Sequence, residues 1–427
     1  MLKHLVLLFL SICTLINALS IHGSKTLVLY DDRVTSLSDF SKFFNSLDQR
    51  SYQFDYISIG NETSTIDLYE KEQRLYDNLI IFPIKGKHLN RLVPVKNLLK
   101  FYEEGGDILA MTTPEAATDS VRLFLNELGI YPSPKDQVLI DYLENNSERL
   151  QISSRNLLAT HVYTTDDEKN FIFEKSSTAL LDNREQIVPI LKAPRSSLTQ
   201  FKDTEPWTVG AQGFLVAGFQ NLNNARTSWI GSQDFFKNSN YKRNSEFVQE
   251  LVKWTFREKS VIKSVGFSHS HIDGSTYEQT PYKVKDSISY EIGISQWTGE
   301  KWEPFVANDV QFELRLVDPY YRLTLTPSRI EESIQYYTTG NFKLPDHHGV
   351  FTFATEYKRN GLTFISESDI KTIRHLANDE YPRSWEISNA WVYISSIYGV
   401  IFSWTLFVIF FILTSSAKKI TSEKKNN

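Results

Sequence analysis

Apolar residues fall along this chain in two periods, and the period changes with position. Lys25–Asp32 (KTLVLYDD), Asp77–Pro83 (DNLIIFP) and Asp107–Thr113 (DILAMTT) are short, nearly continuous apolar runs. Strands buried on both faces read this way. Tyr52–Ile59 (YQFDYISI) alternates and predicts another strand. Between them, Ser36–Leu47 and Val95–Glu104 carry apolar residues at helical spacing. Ser36 or Ser38 is placed to cap the first helix, and Gly105-Gly106 to close the second. Gly213–Gln220 and Thr227–Gly231 add strands, and Ser245–Arg257 a closing helix. Strands alternating with helices over residues 21–260 predict an α/β domain, an open parallel sheet with helices on both faces.

Over residues 261–380 the period shortens. Ser287–Trp297, Asp309–Val317, Tyr320–Thr326 and Gly349–Tyr357 alternate and are separated by Gly, Pro, Asp and Asn. That spacing predicts a β-sandwich.

Two segments are apolar without either period. Residues 1–20 (MLKHLVLLFLSICTLINALS) pair Lys3 and His4 with an apolar stretch of about a dozen residues and a small-x-small end at Ala18-Leu19-Ser20. This reads as a secretory signal peptide. Residues 390–413 form a predominantly apolar stretch of 24 residues, roughly 36 Å as a helix, enough to cross a bilayer. They follow a linker at 381–389 and precede a tail at 414–427 that carries Lys418, Lys419, Lys424 and Lys425. The lysines place the tail in the cytosol by the positive-inside rule, so a type I orientation is expected. Ser395, Ser396, Gly399 and Ser403 share one helical face and would let a second helix approach closely. Lys424 and Lys425 stand third and fourth from the last residue. That is the pattern of a dilysine retrieval signal read by the coat of retrograde vesicles, and it predicts residence in the endoplasmic reticulum membrane.

Composition narrows the chemistry. A net charge of −5 over 427 residues argues against a nucleic-acid surface. The one cysteine, Cys13, lies in the signal peptide, so a cleaved chain has neither a thiol nucleophile nor a cysteine-ligated metal. His269, His271 and Asp273 form an H-x-H-x-D pattern, the start of a binuclear metal-hydrolase signature, without a clear downstream ligand set; a strand-end turn accounts for the same residues. His347-His348 sits in turn chemistry. Asp31-Asp32 and Met111–Ala116 fall at strand ends, where open α/β sheets bind ligands. Thr112 and Thr113 stand there without a nucleophile elbow. Asn61 and Asn145 head N-glycosylation sequons.

Six stretches in order carry a resemblance: 27–32 (LVLYDD), 76–83 (YDNLIIFP), 123–134 (LFLNELGIYPSP), 218–226 (GFQNLNNAR), 317–325 (VDPYYRLTL) and 375–395 (HLANDEYPRSWEISNAWVYIS). They resemble the 48-kDa-type, non-catalytic subunit of the oligosaccharyltransferase complex (the DDOST/WBP family), fungal members above all. The resemblance implies an amidotransferase-like α/β domain followed by β-structure and one membrane helix. It implies a scaffold within a complex that transfers a preassembled glycan from dolichyl diphosphate to Asn of N-x-S/T. It implies a catalytic multi-spanning subunit, a ribophorin-II-type subunit and a small DAD-type membrane subunit as partners. The divalent metal and the dolichyl-diphosphate oligosaccharide are then expected on the catalytic subunit, with no cofactor and no catalytic residue in this chain. The competing expectation is a membrane-anchored metal-dependent hydrolase built on His269, His271 and Asp273.

Overall fold

The computed structural model describes residues 20–423 except 60–65, 72, 86–87, 117–118, 145–148, 203 and 382–388. Residues up to Ile373 form one compact unit, and Arg374 onward a second.

The first unit begins with a nine-stranded sheet. Its strands are β1 (Lys25–Tyr30), β2 (Gln53–Ser58), β3 (Asn78–Ile81), β4 (Asp107–Met111), β5 (Ile130–Pro132), β6 (Ala179–Leu181), β7 (Ile187–Lys192), β8 (Phe214–Gln220) and β9 (Arg226–Ile230). The order is β2-β1-β3-β4-β9-β8-β6-β5, with β7 also paired to β8. From β2 to β9 every pairing is parallel; from β9 onward the sheet turns antiparallel. The expected parallel sheet is thus one half of a mixed one.

Alternation along each strand sends its side chains to two separate cores. Val28, Ile80 and Leu109 pack on one face against Phe43, Phe44 and Leu47 of α1 (Ser41–Asp48). Leu27, Leu79 and Ile108 pack on the other against Leu98 and Phe101 of α2 (Val95–Glu103) and Phe124 of α3 (Asp119–Glu127). Covering both faces is why β3 and β4 are buried at every residue. The first helix is shorter than its periodicity suggests. A 3₁₀ turn over Leu37–Phe40 precedes it, and Ser36 and Ser38 bond each other at 2.9 Å instead of capping. Gly105 does close α2, with φ +95°, the left-handed region glycine tolerates. The closing helix α4 (Asn238–Thr255) starts earlier than expected. Its Trp254 lies so close to β8 that a side chain at Gly218 would meet the indole at 2.7 Å.

A two-sheet sandwich follows. Its strands are β10 (Val261–His271), β11 (Ser287–Trp297), β12 (Trp302–Pro304), β13 (Gln311–Arg315), β14 (Pro319–Thr324), β15 (Thr326–Glu331), β16 (Ile334–Thr338), β17 (Phe342–Lys343), β18 (Gly349–Tyr357) and β19 (Ile365–Ile373). One sheet runs β10-β11-β16-β15, with β12 and β17 beside β11; the other runs β14-β13-β18-β19. Ile288, Tyr290, Ile292 and Ile294 point inward from β11. Tyr290 stacks at 4.5 Å on Phe312 of the facing sheet, and its hydroxyl accepts from Thr355 at 3.0 Å. The β18–β19 connection docks on the α/β part: Gln220 donates to the Leu362 carbonyl at 2.6 Å, and Asn224 exchanges two bonds with the backbone of Phe364.

The second unit contains α5 (Ala390–Glu423), of which Ala390–Thr414 is apolar with mean hydropathy 2.2. By length and composition it is able to cross a membrane.

Candidate functional site

Four neighbouring strands end together at the carboxyl edge of the parallel half, where the order reverses between β1 and β3. Open α/β sheets form their ligand crevices there. The segments after them enclose a cleft of about 200 Å³, lined by Arg33 and Val34 after β1, Lys85 after β3, Thr113–Glu115 after β4, and Gln233, Asp234 and Lys237 after β9, with Val138 and Lys175 closing the side.

Asp31, fully buried, organises the floor. Its carboxylate accepts Arg33 Nε at 2.9 Å and Nη2 at 2.7 Å, and the backbone N–H groups of Arg33 and Lys85, each at 3.0 Å. Burial alone would push its pKa up; the bonds from Arg33 and Lys85 outweigh burial and hold it below the ordinary carboxylate range. Lys175 pairs with Glu115 at 3.0 Å, and that bond lowers the Glu115 pKa. Lys237 pairs with Asp234 at 2.8 Å. Thr112 points away and accepts the Trp229 indole N–H at 3.0 Å. The hydroxyl of Thr113, a residue 5% exposed, has no hydrogen-bond partner among the described residues. Asp32 stands apart, accepting from Ser58 at 2.5 Å. Sequence reasoning found Asp31 and the Met111–Ala116 edge. It missed Lys85, Lys175 and Lys237, which only tertiary structure brings together.

The histidine pattern lies at a strand end: β10 runs through His271, so both histidines are strand residues, and the turn that follows begins at Ile272 and holds Asp273. Phe267, His269 and His271 alternate onto the inner face, against Tyr290, Phe353 and Tyr282 respectively. His269 uses both ring nitrogens, on the Tyr282 hydroxyl at 2.8 Å and Asp369 at 3.0 Å. His271 donates Nε2–H to the Thr280 carbonyl at 2.9 Å. Asp273 accepts the backbone N–H and hydroxyl of Ser275 at 2.9 and 2.7 Å, which lowers its pKa. Each residue serves a separate local bond. Among the described residues, no group of three His, Cys, Asp or Glu is placed to hold a metal ion. His347 lies in an exposed loop, 3.4 Å from the Tyr320 hydroxyl.

On α5, Ser395 and Ser396 both donate to the Val392 carbonyl, at 3.0 and 2.7 Å. Their hydroxyls are satisfied within the helix, so the face they share with Gly399 and Ser403 stays narrow. A side chain added at Gly399 would meet nothing within 4 Å. Residues 1–19 of the expected signal peptide, Asn61, Asn145, Lys424 and Lys425 lie outside the described residues.

Residues 17–258 match the family described as OST48, N-terminal domain, and residues 269–415 match the OST48 middle domain. The chain belongs to the OST48 family. Within it, the chain is 57% identical to the subunit WBP1 of dolichyl-diphosphooligosaccharide–protein glycosyltransferase from Saccharomyces cerevisiae, over 97% of this chain and 98% of that one. It is 29% identical to the 48 kDa subunit of the same enzyme from Arabidopsis thaliana, over 84% and 86% of the two chains. Solved structures similar to part of the OST48-family chain include the mmIFT52 N-terminal domain (14% identity, TM-score 0.40, covering 54% of this chain and 96% of that one). A glutamine amidotransferase from Thermotoga maritima matches at 10% identity and TM-score 0.28, covering 54% of this chain and 86% of that one.

Proposed function

We propose that this chain is a non-catalytic subunit of the oligosaccharyltransferase complex of the endoplasmic reticulum membrane. The observation that carries the reading is end-to-end identity: 57% over 97% of the chain with a named subunit of that enzyme. The apolar helix Ala390–Thr414 supports a single-pass anchor. In this reading the body lies in the lumen, the dilysine tail in the cytosol, and the vesicle coat reads Lys424 and Lys425. The partners are the catalytic multi-spanning subunit, which holds the divalent metal and the dolichyl-diphosphate glycan, and the ribophorin-II-type and DAD-type subunits. The narrow Ser395/Ser396/Gly399/Ser403 face supports lateral docking of the helix.

A role in positioning glycan or acceptor would use a groove of about 640 Å³ between the two parts of the first unit, lined by Arg50, His161, Lys259 and Trp297 among others. Trp297 and Trp302 stand 5.4 Å apart and supply aromatic surface.

The test is the native mass of the chain after gentle digitonin extraction of microsomes, with co-migrating proteins identified. A large assembly containing a multi-spanning glycosyltransferase is expected. Migration alone or as a small homo-oligomer would overturn the reading.

A further inference from the structure

We propose that the cleft at the carboxyl edge of β1, β3, β4 and β9 binds a phosphate group, free or carried on a small hydroxylated molecule. Three independent features point there.

The first is charge. Four cations line the cleft: Arg33, Lys85, Lys175 and Lys237. Three carboxylates answer them, and each is already committed. Asp31 is saturated by two guanidinium and two backbone bonds, Glu115 is paired with Lys175, and Asp234 with Lys237. Among the described residues, Lys85 has no carboxylate within ion-pair distance. The wall therefore keeps a positive excess while offering ammonium groups at fixed points. An oxyanion is attracted by that arrangement and a metal cation is repelled.

The second is an unpaired donor. Thr113 lines the cleft, is 5% exposed, and its hydroxyl has no partner among the described residues. A buried hydroxyl left without a bond is costly, and a ligand oxygen would relieve that cost. Two further buried hydroxyls outside the lining, Ser176 next to Lys175 and Ser133 after β5, also lack partners among the described residues.

The third is what the lining leaves out. Among the described residues it contains no aromatic ring; Val34, Pro114 and Val138 are its only apolar members. A site for a neutral sugar would want an aromatic platform, which these residues do not provide. Its volume of about 200 Å³ suits a phosphate or a phosphorylated monosaccharide, not an oligosaccharide.

The experiment uses the full chain purified in digitonin with its co-purifying subunits, and reads binding by calorimetry. Inorganic phosphate, glucose 1-phosphate and methyl glucoside are titrated into wild-type, Lys85→Gln and Thr113→Val preparations. Lys85 is exposed and Thr113→Val nearly conserves shape, so both variants keep the fold; unchanged thermal midpoints check this. The expected result is saturable phosphate binding weakened about tenfold by Lys85→Gln and several-fold by Thr113→Val. Only the component removed by these substitutions is assigned to the cleft, so phosphate sites on other subunits do not enter. Tighter binding of glucose 1-phosphate than of phosphate identifies a sugar-borne group; equal binding identifies the free ion. No component sensitive to either substitution, or methyl glucoside binding as tightly as glucose 1-phosphate, overturns the proposal. Neither result bears on assembly with other subunits, which the native-mass measurement decides.

Discussion

Trp254 donates its indole N–H to the carbonyl of Gly361 at 2.8 Å. The bond ties the closing helix of the α/β part to the last hairpin of the sandwich. Beneath it Arg226, wholly buried, lies over the same indole at 4.9 Å and donates to the carbonyls of Trp254, Lys259 and Ser260 at 2.7–2.8 Å. Asp107 accepts the backbone N–H of Arg226 at 2.9 Å and the Arg257 Nε at 2.7 Å. Burial pushes the Asp107 pKa up to about 6 and the Arg226 pKa down to about 9, with each charge partly restoring the other.

Arg226→Met should therefore destabilise the first unit by about 3–5 kcal/mol, because it leaves three interior carbonyls and the Gln220 side-chain oxygen without their donor, while Asp107 keeps the backbone N–H of residue 226 and Arg257. Trp254→Phe, which removes the Gly361 bond and shrinks the ring beneath Arg226 and beside Gly218, should cost at least about 1–3 kcal/mol. Denaturant unfolding followed by tryptophan fluorescence and circular dichroism measures both. An Arg226→Met midpoint equal to wild type would show that the buried guanidinium does not hold the two parts together.

His22 sets a pH dependence. It is packed against Arg74, whose Nη2 lies 2.8 Å from its Nε2. Burial first, then the charges of Arg257 and Arg74, press its pKa from 6.5 down to about 3. The folded state therefore prefers neutral His22. Its contribution is present above pH 6.5 and is lost progressively as pH falls from 6.5 toward 3, where the unfolded chain binds a proton that the folded one refuses. His22→Gln should flatten the decline of thermal midpoint over that window. An identical decline in both proteins would refute the assignment.

The paired substitution His269→Ala with His271→Ala separates a subunit from a metal enzyme. Both rings serve the sandwich interior, so stability should fall by about 1–3 kcal/mol as Tyr282, Asp369 and the Thr280 carbonyl lose partners. Metal content per chain, measured by mass spectrometry on the purified complex, should not change. Loss of one stoichiometric metal ion would restore the hydrolase reading.

Gly399→Leu places a branched side chain on the narrow face of α5. The partner helix should be displaced, at a cost of about 1 kcal/mol and a several-fold drop in co-purifying subunits. Val400→Leu, on a neighbouring face, serves as the control. Equal recovery from both would remove Gly399 from the docking surface.

The parallel half of the sheet was legible because β3 and β4 are buried on both faces and read as nearly continuous apolar runs, whereas β9 (RTSWI) is buried throughout yet opens with three polar residues. The stretch between Met111 and Gly213 was not. Its strands are as short as Ile130–Pro132 and Ala179–Leu181, and pair across long separations. In β7, Pro189 argues against a strand, but it sits beside a register shift where a missing N–H is tolerated. In the sandwich, β19 (ISESDIKTI) reads as polar because only Ile365 and Ile373 are buried. The histidines misled for a related reason: on an inward strand face, two imidazoles can replace aromatic packing when Tyr282 and Asp369 bind their nitrogens. The cleft was half visible. Strand-end position is a pattern within the sequence, whereas the convergence of Lys85, Lys175 and Lys237 is made by tertiary structure.

The strand order also sets a schedule for synthesis. β4 lies between β3 and β9 in the sheet, yet more than a hundred residues separate its end from the start of β9. At translation rates of about 5–20 residues per second, on the order of ten seconds pass between the emergence of β4 and that of its second neighbour. Throughout that interval a strand edge of unpaired N–H and C=O groups, flanked by the apolar side chains of Ile108 to Ala110, stands open to any passing strand. A nascent chain of this design needs a guardian at that edge, and slowing elongation between Met111 and Arg226 should lengthen the time for which one is required.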